Sequence, residues 1–142
     1  HAQVTAVDLS SAALFIARNN AGRLGAVVEF FEGDWYTPLT GQRFDLIVSN
    51  PPYVAAGDPH LALNGLPFEP QMALTDGADG LACIRQIVAA APAHLQAEGA
   101  LMFEHGYDQG AASRNLLLSA GFKAPFTQTD LAGTDRVSGA YL

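Results

Sequence analysis

Cysteine, basic residues and long apolar runs are scarce in this sequence, and each scarcity argues against a class of protein. The one cysteine, Cys83, allows no internal disulfide and favours the reducing cytoplasm. Seven basic residues stand against 14 acidic ones, and this formal net charge of -7 argues against a protein that grips long nucleic acid through its phosphates. The apolar runs are short and interrupted by charge, proline or glycine, so no membrane-spanning segment is predicted.

A glycine-rich loop of the form Gly-x-Gly-x-x-Gly, which cradles nucleotide cofactors in many α/β folds, is also absent from these residues. Gly22 and Gly25 instead end a predicted helix. The 142 residues, 49% of them hydrophobic, can bury one sizeable core, which predicts one domain or a large part of one. The chain begins in a strand-like run without a methionine, and we expect it to be part of a longer protein.

The most informative stretch is the turn Asn50-Pro51-Pro52-Tyr53, which follows an apolar run from Phe44 to Val48. The run predicts a buried strand, and a residue before proline is pushed to an extended backbone. Asn50 is therefore expected on a rigid strand exit, at the carboxyl edge of a sheet where open α/β folds bind ligands.

Such a turn suits methyl transfer onto an amide or amino nitrogen that is not basic. The Asn50 side-chain oxygen and the Pro51 carbonyl can accept both N–H groups of that nitrogen and orient its lone pair. The face of Tyr53 can pack on the flat substrate group and against an electron-poor sulfonium methyl. The alternative interpretation is a Pro-Pro loop capped by Asn50, without a function.

Alternating strand-like and helix-like patterns predict a mostly parallel, doubly wound α/β sheet. The predicted strands are residues 3–8, 27–31, 44–48, 100–104, 122–129 and 136–142. One helix begins at Ser10 or Ser11 and ends at Gly25; the others are residues 81–99, which Pro92 should kink or restart, and 109–120. The short connection through Gly133 predicts a hairpin with an antiparallel last strand, by analogy the methyltransferase variant of this fold.

Three more residues follow predicted strands in the order of an adenosine site. Asp8 ends the first strand, where a carboxylate accepts hydrogen bonds from ribose hydroxyls, although it can also interact with a helix dipole. Asp34 follows the next strand and can accept from the adenine amino group. Trp35 offers a surface to the purine ring, or belongs to the core. Together with Asn50, these residues predict a cofactor edge.

The turn Asn50-Pro51-Pro52-Tyr53 resembles the signature of class I S-adenosylmethionine-dependent methyltransferases that act on amide or exocyclic nitrogens. The rest of the chain is similar to the HemK/PrmC family, the release-factor glutamine-N5 methyltransferases. The segments that carry this similarity are Asp58-Pro59-His60-Leu61, Phe68-Glu69-Pro70, Asp76-Gly77-Ala78-Asp79-Gly80-Leu81, Glu104-His105-Gly106-Tyr107-Asp108-Gln109-Gly110, and Asp130-Leu131-Ala132-Gly133 with Arg136-Val137.

The resemblance implies S-adenosyl-L-methionine as cofactor, S-adenosyl-L-homocysteine as product, and as substrate the glutamine in the Gly-Gly-Gln loop of class I peptide-chain release factors. Asp8 would then hold the ribose, while Trp35, and also Asp34, line the adenine pocket. Asn50 and Pro51 would bind the glutamine amide, with Asn50 also near the methionine part of the cofactor. Pro52 and Tyr53 complete the substrate wall, and Phe68-Glu69-Pro70 shapes the pocket mouth.

The resemblance also implies that residues 1–142 form a C-terminal catalytic domain that starts at its second strand. An N-terminal helical domain, the first strand and the glycine-rich loop would then lie outside this chain. In the family the first strand lies between those ending at Asp8 and Val48, so the chain alone is expected to have two unpaired edges and to be inactive.

Glu104 and His105 invite an acid–base or metal interpretation, but a structural role is favoured because no further ligands lie at metal-like spacing. Three alternatives remain open for the whole chain. They are a glutamine N5-methyltransferase of a ribosomal protein, an adenine or guanine N-methyltransferase of nucleic acid, which the acidic charge disfavours, and a non-catalytic adenosine-binding module. The sequence predicts no oligomeric state.

Overall fold

The computed structural model describes residues 2–62, 68 and 70–142, without the side chains of His60 and Ala62. Glu69 lies outside the described residues, and with it the predicted role of Phe68-Glu69-Pro70 at a pocket mouth. The chain divides into two units, His1–Gln42 and Arg43–Leu142. Within the described part, each helix is too short or too polar to cross a lipid bilayer.

The first unit is a β-α-β arrangement of β1 (Thr5–Asp8), α1 (Ser11–Leu24) and β2 (Glu29–Glu32). The two strands pair in parallel. The predicted start and end of α1 are confirmed, because the Ser10 hydroxyl accepts the Ala13 N–H at 3.2 Å and Gly25 adopts a left-handed conformation with φ 65°.

Leu14 is the buried residue of α1, whereas Leu24, predicted on the same apolar face, is 82% exposed. The strands explain this difference. A helix of 14 residues is about 21 Å long, whereas each strand of four residues covers only about 13 Å. The C-terminal end of α1 therefore extends beyond the two short strands.

The second unit holds a four-stranded sheet in the order β3-β4-β6-β5. Its strands are β3 (Phe44–Ser49), β4 (Leu95–Glu104), β5 (Lys123–Thr129) and β6 (Asp135–Tyr141). β3 runs parallel to β4, and β6 runs antiparallel to both of its neighbours. The last strand therefore enters the sheet between β4 and β5, and the predicted antiparallel hairpin strand is confirmed.

The described residues of this unit form three α-helices: α2 (Gln71–Leu74), α3 (Ala82–His94) and α4 (Gly110–Ser119). The largest buried side chains of its core are Ile84, Ile87, Val88, Leu95, Leu101, Phe103 and Leu117. They come from α3, β4 and α4, so the core lies beside β4, the strand that both β3 and β6 pair with.

The prediction that the helix over residues 81–99 ends at Gly99 is wrong, because α3 contains Pro92, ends at His94 and leads directly into β4. Leu95 is fully buried at that junction, and the Arg43 guanidinium donates to its carbonyl at 2.7 Å. A Cβ at position 99 would lie 2.9 Å from the Gln96 carbonyl oxygen and 3.1 Å from that of Phe44. Gly99 therefore permits a close approach of β3 and β4.

The prediction that Phe44 to Val48 is a buried strand is also wrong for its side chains. Leu46 is 50% exposed and Val48 is 71% exposed. Among the described residues of the second unit, β3 pairs with β4 alone, so it is an edge strand of that sheet. An apolar run predicts burial only for a strand that has neighbouring strands on both sides and a covered sheet surface on both faces.

Candidate active site

In the first unit, the acidic residues predicted from the sequence lie at the end of the parallel strands. Asp8 is the last residue of β1 and is paired with Glu32, the last residue of β2. The Gly33 N–H donates to the Asp8 carbonyl at 3.1 Å, which brings Asp34 close to Asp8 along the same edge. Both aspartates are exposed to solvent.

One oxygen of the Asp8 carboxylate already accepts a hydrogen bond from the backbone of the protein. Its Oδ1 accepts the Ser10 N–H at 2.7 Å, at the start of α1. This contact is of the kind that the helix-terminus interpretation expects. A carboxylate has a second oxygen, so the same side chain can accept from a ligand hydroxyl through Oδ2.

Trp35 follows Asp34 in a tight, strained turn. Its φ of 46° is uncommon for a bulky residue, and such conformations cluster at ligand sites. The turn is fixed by the Thr37 N–H, which donates to the Asp34 carbonyl at 2.9 Å. Pro38 packs so closely on Gly33 that a Cβ there would lie 2.8 Å from the ring. The half-buried indole is therefore held on a rigid loop beside the two carboxylates.

In the second unit, the Asn50–Tyr53 turn follows the end of β3. Pro51 is fully buried, Pro52 and Tyr53 are half-buried, and Asn50 is exposed. Among the described residues, no side chain or backbone group hydrogen-bonds to the Asn50 amide. The turn thus anchors its first proline in the core and displays a neutral amide at the carboxyl end of the sheet.

Tyr53 is connected to the neighbouring strand through its hydroxyl, which donates to Glu104 Oε1 at 2.7 Å. Burial, the hydrogen bond to Glu104 and the charge of that carboxylate all raise the pKa of Tyr53. The hydroxyl therefore stays a neutral donor near pH 7, and its bond fixes the ring. A contact between Glu104 and Tyr53 was not predicted, although parallel pairing of Ser49 with Phe103 places residues that follow β3 beside the end of β4.

Gln109 is a residue of this region that the sequence reasoning missed. Its amide nitrogen donates to the Tyr53 carbonyl at 3.0 Å and to the Gly80 carbonyl at 3.3 Å. Its amide oxygen accepts the Gly106 N–H at 2.8 Å. The only available signal was its place in the segment from Glu104 to Gly110, which resembles the family without an assigned chemistry.

His105 is fully buried and has a structural arrangement of hydrogen bonds. Its Nδ1 lies 2.7 Å from the Gly106 carbonyl oxygen and its Nε2 lies 2.8 Å from the Ser138 hydroxyl. A carbonyl can only accept, so Nδ1 carries a proton and donates it to the Gly106 carbonyl. Among the described residues, no group of three or more His, Cys, Asp or Glu is placed to hold a metal ion.

The loop before α3 is organised by one carboxylate. Asp76 Oδ1 accepts the N–H groups of Ala78 and Gly80 at 2.8 and 3.0 Å, and Oδ2 accepts that of Ala82 at 2.8 Å. The segment after the turn joins this loop, because Val54 bridges Thr75 in a parallel pair. The described part of the segment between Tyr53 and α3 therefore supports the Asn50–Tyr53 turn.

Comparison with known proteins gives a consistent result. A family model described as a methyltransferase small domain matches residues 1–65. A release factor glutamine methyltransferase from Bordetella pertussis is 54% identical over 142 residues, 99% of this chain. One from Xylella fastidiosa is 56% identical over 138 residues, 96% of this chain. The chain spans 53% and 50% of these two relatives, about half of their length.

A solved structure shows the same fold. A methyltransferase from Pyrococcus furiosus covers 98% of this chain with a TM-score of 0.72, at 19% sequence identity and over 61% of its own length. The predicted Rossmann-like fold of class I methyltransferases is thereby confirmed, with its mostly parallel strands and antiparallel last strand.

Proposed function

The chain belongs to the HemK/PrmC family, and from this membership we propose that it transfers a methyl group from S-adenosyl-L-methionine to a glutamine side chain. The acceptor is the N5 amide nitrogen in the Gly-Gly-Gln motif of class I peptide-chain release factors. The relatives' name supports both the reaction and the substrate. Because the chain matches about half of each relative, we assign it to the catalytic domain of the enzyme.

The observation that carries the proposal is the exposed Asn50 amide beside the buried Pro51. A substrate amide nitrogen has two N–H groups and a lone pair that is conjugated with its carbonyl. In the proposed reaction, Asn50 Oδ1 and the Pro51 carbonyl oxygen accept the two N–H groups. The fixed acceptors hold the nitrogen in one orientation, which lowers the barrier through positioning and electrostatics rather than through a general base.

Tyr53 has a different task in this proposal. Its ring, held through the hydroxyl bond to Glu104, forms the wall against which the flat substrate amide packs. The raised pKa of Tyr53 keeps the ring neutral, so the hydroxyl takes no proton from the substrate near pH 7. The alkylated amide is itself a strong acid and loses its proton to water.

The residues of the first unit fit the cofactor by their chemistry. Exposed carboxylates suit ribose hydroxyls and an amino group, and a half-buried indole suits a purine ring. We assign Asp8 to the ribose, Asp34 to the adenine amino group and Trp35 to the adenine ring. When bound, S-adenosyl-L-methionine supplies an electrophilic methyl group and leaves as S-adenosyl-L-homocysteine.

The test is methyl transfer from labelled cofactor by the full-length protein, with purified release factor, ribosomal proteins and RNA offered side by side. We expect label on the glutamine of the release factor and on neither of the others. Label on a ribosomal protein alone would replace the proposed substrate with the first alternative. The acidic balance of 14 acids and seven bases argues against RNA. Release factors act in the cytoplasm, and we propose the same location for this enzyme.

A substitution at Asn50 tests the acceptor role separately. Asn50→Ala should lower turnover by at least about 10²-fold, because an oriented acceptor in the site is lost. Cofactor affinity, measured by calorimetry, should change far less, since Asp8, Asp34 and Trp35 are intact. Near-normal turnover of Asn50→Ala would contradict the role of the amide.

A further inference from the structure

Gln109 joins three separate segments at one point of the second unit. Its amide nitrogen binds the carbonyls of Tyr53 and Gly80, and its amide oxygen binds the Gly106 N–H, at distances of 3.0, 3.3 and 2.8 Å. The backbone N–H of Gln109 also donates to the Gly106 carbonyl at 3.0 Å. One half-buried side chain thereby links the Asn50–Tyr53 turn, the loop before α3 and the connection from β4 to α4.

We infer that Gln109 is a positioning residue for the methyl-acceptor turn. It holds the carbonyl at the end of the turn, and through this carbonyl it fixes where Asn50 and Pro51 lie relative to β4. Gln109 itself need not touch substrate or cofactor. This inference rests on the proposed function, because it assigns Gln109 to the same reaction.

The space around Gly80 supports the inference. A Cβ at this position would lie 2.4 Å from the Tyr53 carbonyl oxygen and 2.6 Å from Gln109 Nε2. The residue is buried with φ +79°, and its N–H is held by Asp76 at 3.0 Å. The Tyr53 carbonyl is therefore confined between Gly80 and the Gln109 amide, with no space for a side chain between them.

A chain of hydrogen bonds fixes Gly106 from the other side. Arg114 donates to the Thr127 hydroxyl, which lies 2.9 Å from the Ser138 hydroxyl. The Ser138 hydroxyl in turn lies 2.8 Å from His105 Nε2, so hydrogen bonds connect Arg114 to His105 through Thr127 and Ser138. Gly106 is thus held through its carbonyl by buried His105 and through its N–H by Gln109.

The hydrogen bonds of Gln109 to Tyr53, Gly80 and Gly106 require a primary amide. Gln109→Glu keeps size and shape but places a carboxylate oxygen against two carbonyl oxygens, which repel it. Protonation of the new carboxyl would restore a donor, so the defect should lessen at lower pH. Gln109→Met is similar in length and adds no charge, but it can neither donate to Tyr53 nor accept from Gly106. The matched control is Gln86→Glu, the same change at an exposed position of α3.

The experiment measures kcat, the KM for release factor, and cofactor dissociation constants for these variants in the full-length enzyme. We expect Gln109→Glu and Gln109→Met to lower kcat by about tenfold to 10²-fold, as a misplaced reacting group does. The cofactor dissociation constant should stay within about twofold of wild type, because Gln109 makes no hydrogen bond to its proposed ligands Asp8, Asp34 and Trp35. The kcat of Gln109→Glu should recover as the pH falls, whereas that of Gln109→Met should stay low. The kcat of the control Gln86→Glu should stay close to that of wild type.

Two outcomes would overturn the inference. One is a folded Gln109→Met enzyme with wild-type kcat, which would show that the Gln109 hydrogen bonds are not needed to position the turn. The other is a parallel loss of kcat and cofactor affinity in Gln109→Met, which would indicate a purely structural role. Failure of the proposed function would look different, because the wild-type enzyme itself would then not methylate release factor in the same assay.

Discussion

The hydrogen bond from Tyr53 to Glu104 gives a prediction that combines stability, activity and pH. Glu104→Ala removes the acceptor of a partly buried bond of 2.7 Å to a charged group. Such bonds stabilise by about 1.5–3 kcal/mol, and the half-exposed state of Tyr53 favours the lower end of that range. We therefore expect the free energy of unfolding to fall by about 1.5 kcal/mol in urea titrations.

The same loss should appear in catalysis if the Tyr53 ring must be fixed. About 1.4 kcal/mol corresponds to tenfold in rate, so kcat should fall by about tenfold in Glu104→Ala. Glu104→Gln should lose less, because its amide oxygen still accepts from the hydroxyl. Tyr53→Phe should resemble Glu104→Ala, and the two changes combined should cost less than their sum, since they remove one shared bond.

The raised pKa of Tyr53 makes the stability of the fold depend on pH. The folded pKa of Tyr53 lies above its ordinary value of 10.0, so the stability linked to the neutral hydroxyl is complete below pH 10 and is lost as pH rises through the folded pKa. Glu104→Ala should lower the Tyr53 pKa, because the hydrogen bond to Glu104 and the charge of its carboxylate both raise it in the wild type. Absorbance titration of tyrosinate, with Tyr53→Phe to identify the signal, measures this change.

The control removes a carboxylate that has an exposed partner. Asp79 pairs with Arg85 at the surface, and this contact lowers the pKa of the Asp79 carboxyl to about 2. Asp79→Asn should leave stability and kcat near wild type at pH 7, because exposed ion pairs are screened by water and salt. Unchanged unfolding energy and unchanged kcat in Glu104→Ala would refute the argument that Glu104 fixes the ring.

Two more predictions concern the cofactor residues and the core. Asp8→Ala should weaken cofactor binding in calorimetry by about tenfold or more, since a charge-assisted hydrogen bond is lost, and should change kcat at saturating cofactor much less; unchanged affinity would count against the ribose assignment. Leu101→Ala, at a fully buried position of β4, should lower the free energy of unfolding by about 2–5 kcal/mol in denaturant titrations, and a loss below about 1 kcal/mol would contradict the central place of β4 in the core.

Local patterns in the sequence predicted the features that local chemistry determines. Ser10 caps α1 and Gly25 ends it, because a hydroxyl and a left-handed glycine act on neighbouring residues. The hairpin through Gly133 was also predictable, since a turn residue with φ +81° joins two short strands. These features depend on interactions within a few residues of the chain.

Features that depend on pairing between distant segments were missed or mistaken. Gly99 was predicted to end a helix. A glycine is needed there because a Cβ would lie 3.1 Å from the carbonyl oxygen of Phe44, a residue far away in the sequence. The exposure of Val48 depends on which strands β3 pairs with. Gln109 showed no signal beyond its place in the segment from Glu104 to Gly110, because its amide acts on the backbone of Tyr53, Gly80 and Gly106, which carries no residue-specific pattern.

The two kinds of feature meet at the acceptor turn. Pro51 and Pro52 restrict the local backbone, which sets the shape of the turn but not its place relative to β4. Its place is set by tertiary contacts at Tyr53, through Glu104 on the hydroxyl and Gln109 on the carbonyl. Substitution of Asn50 should therefore remove the chemistry, whereas Tyr53→Phe and substitutions at Glu104 and Gln109 should displace an intact turn. Only the second group should retain measurable turnover. The loss should be smaller in Glu104→Gln than in Glu104→Ala, and in Gln109→Glu it should lessen as the pH falls.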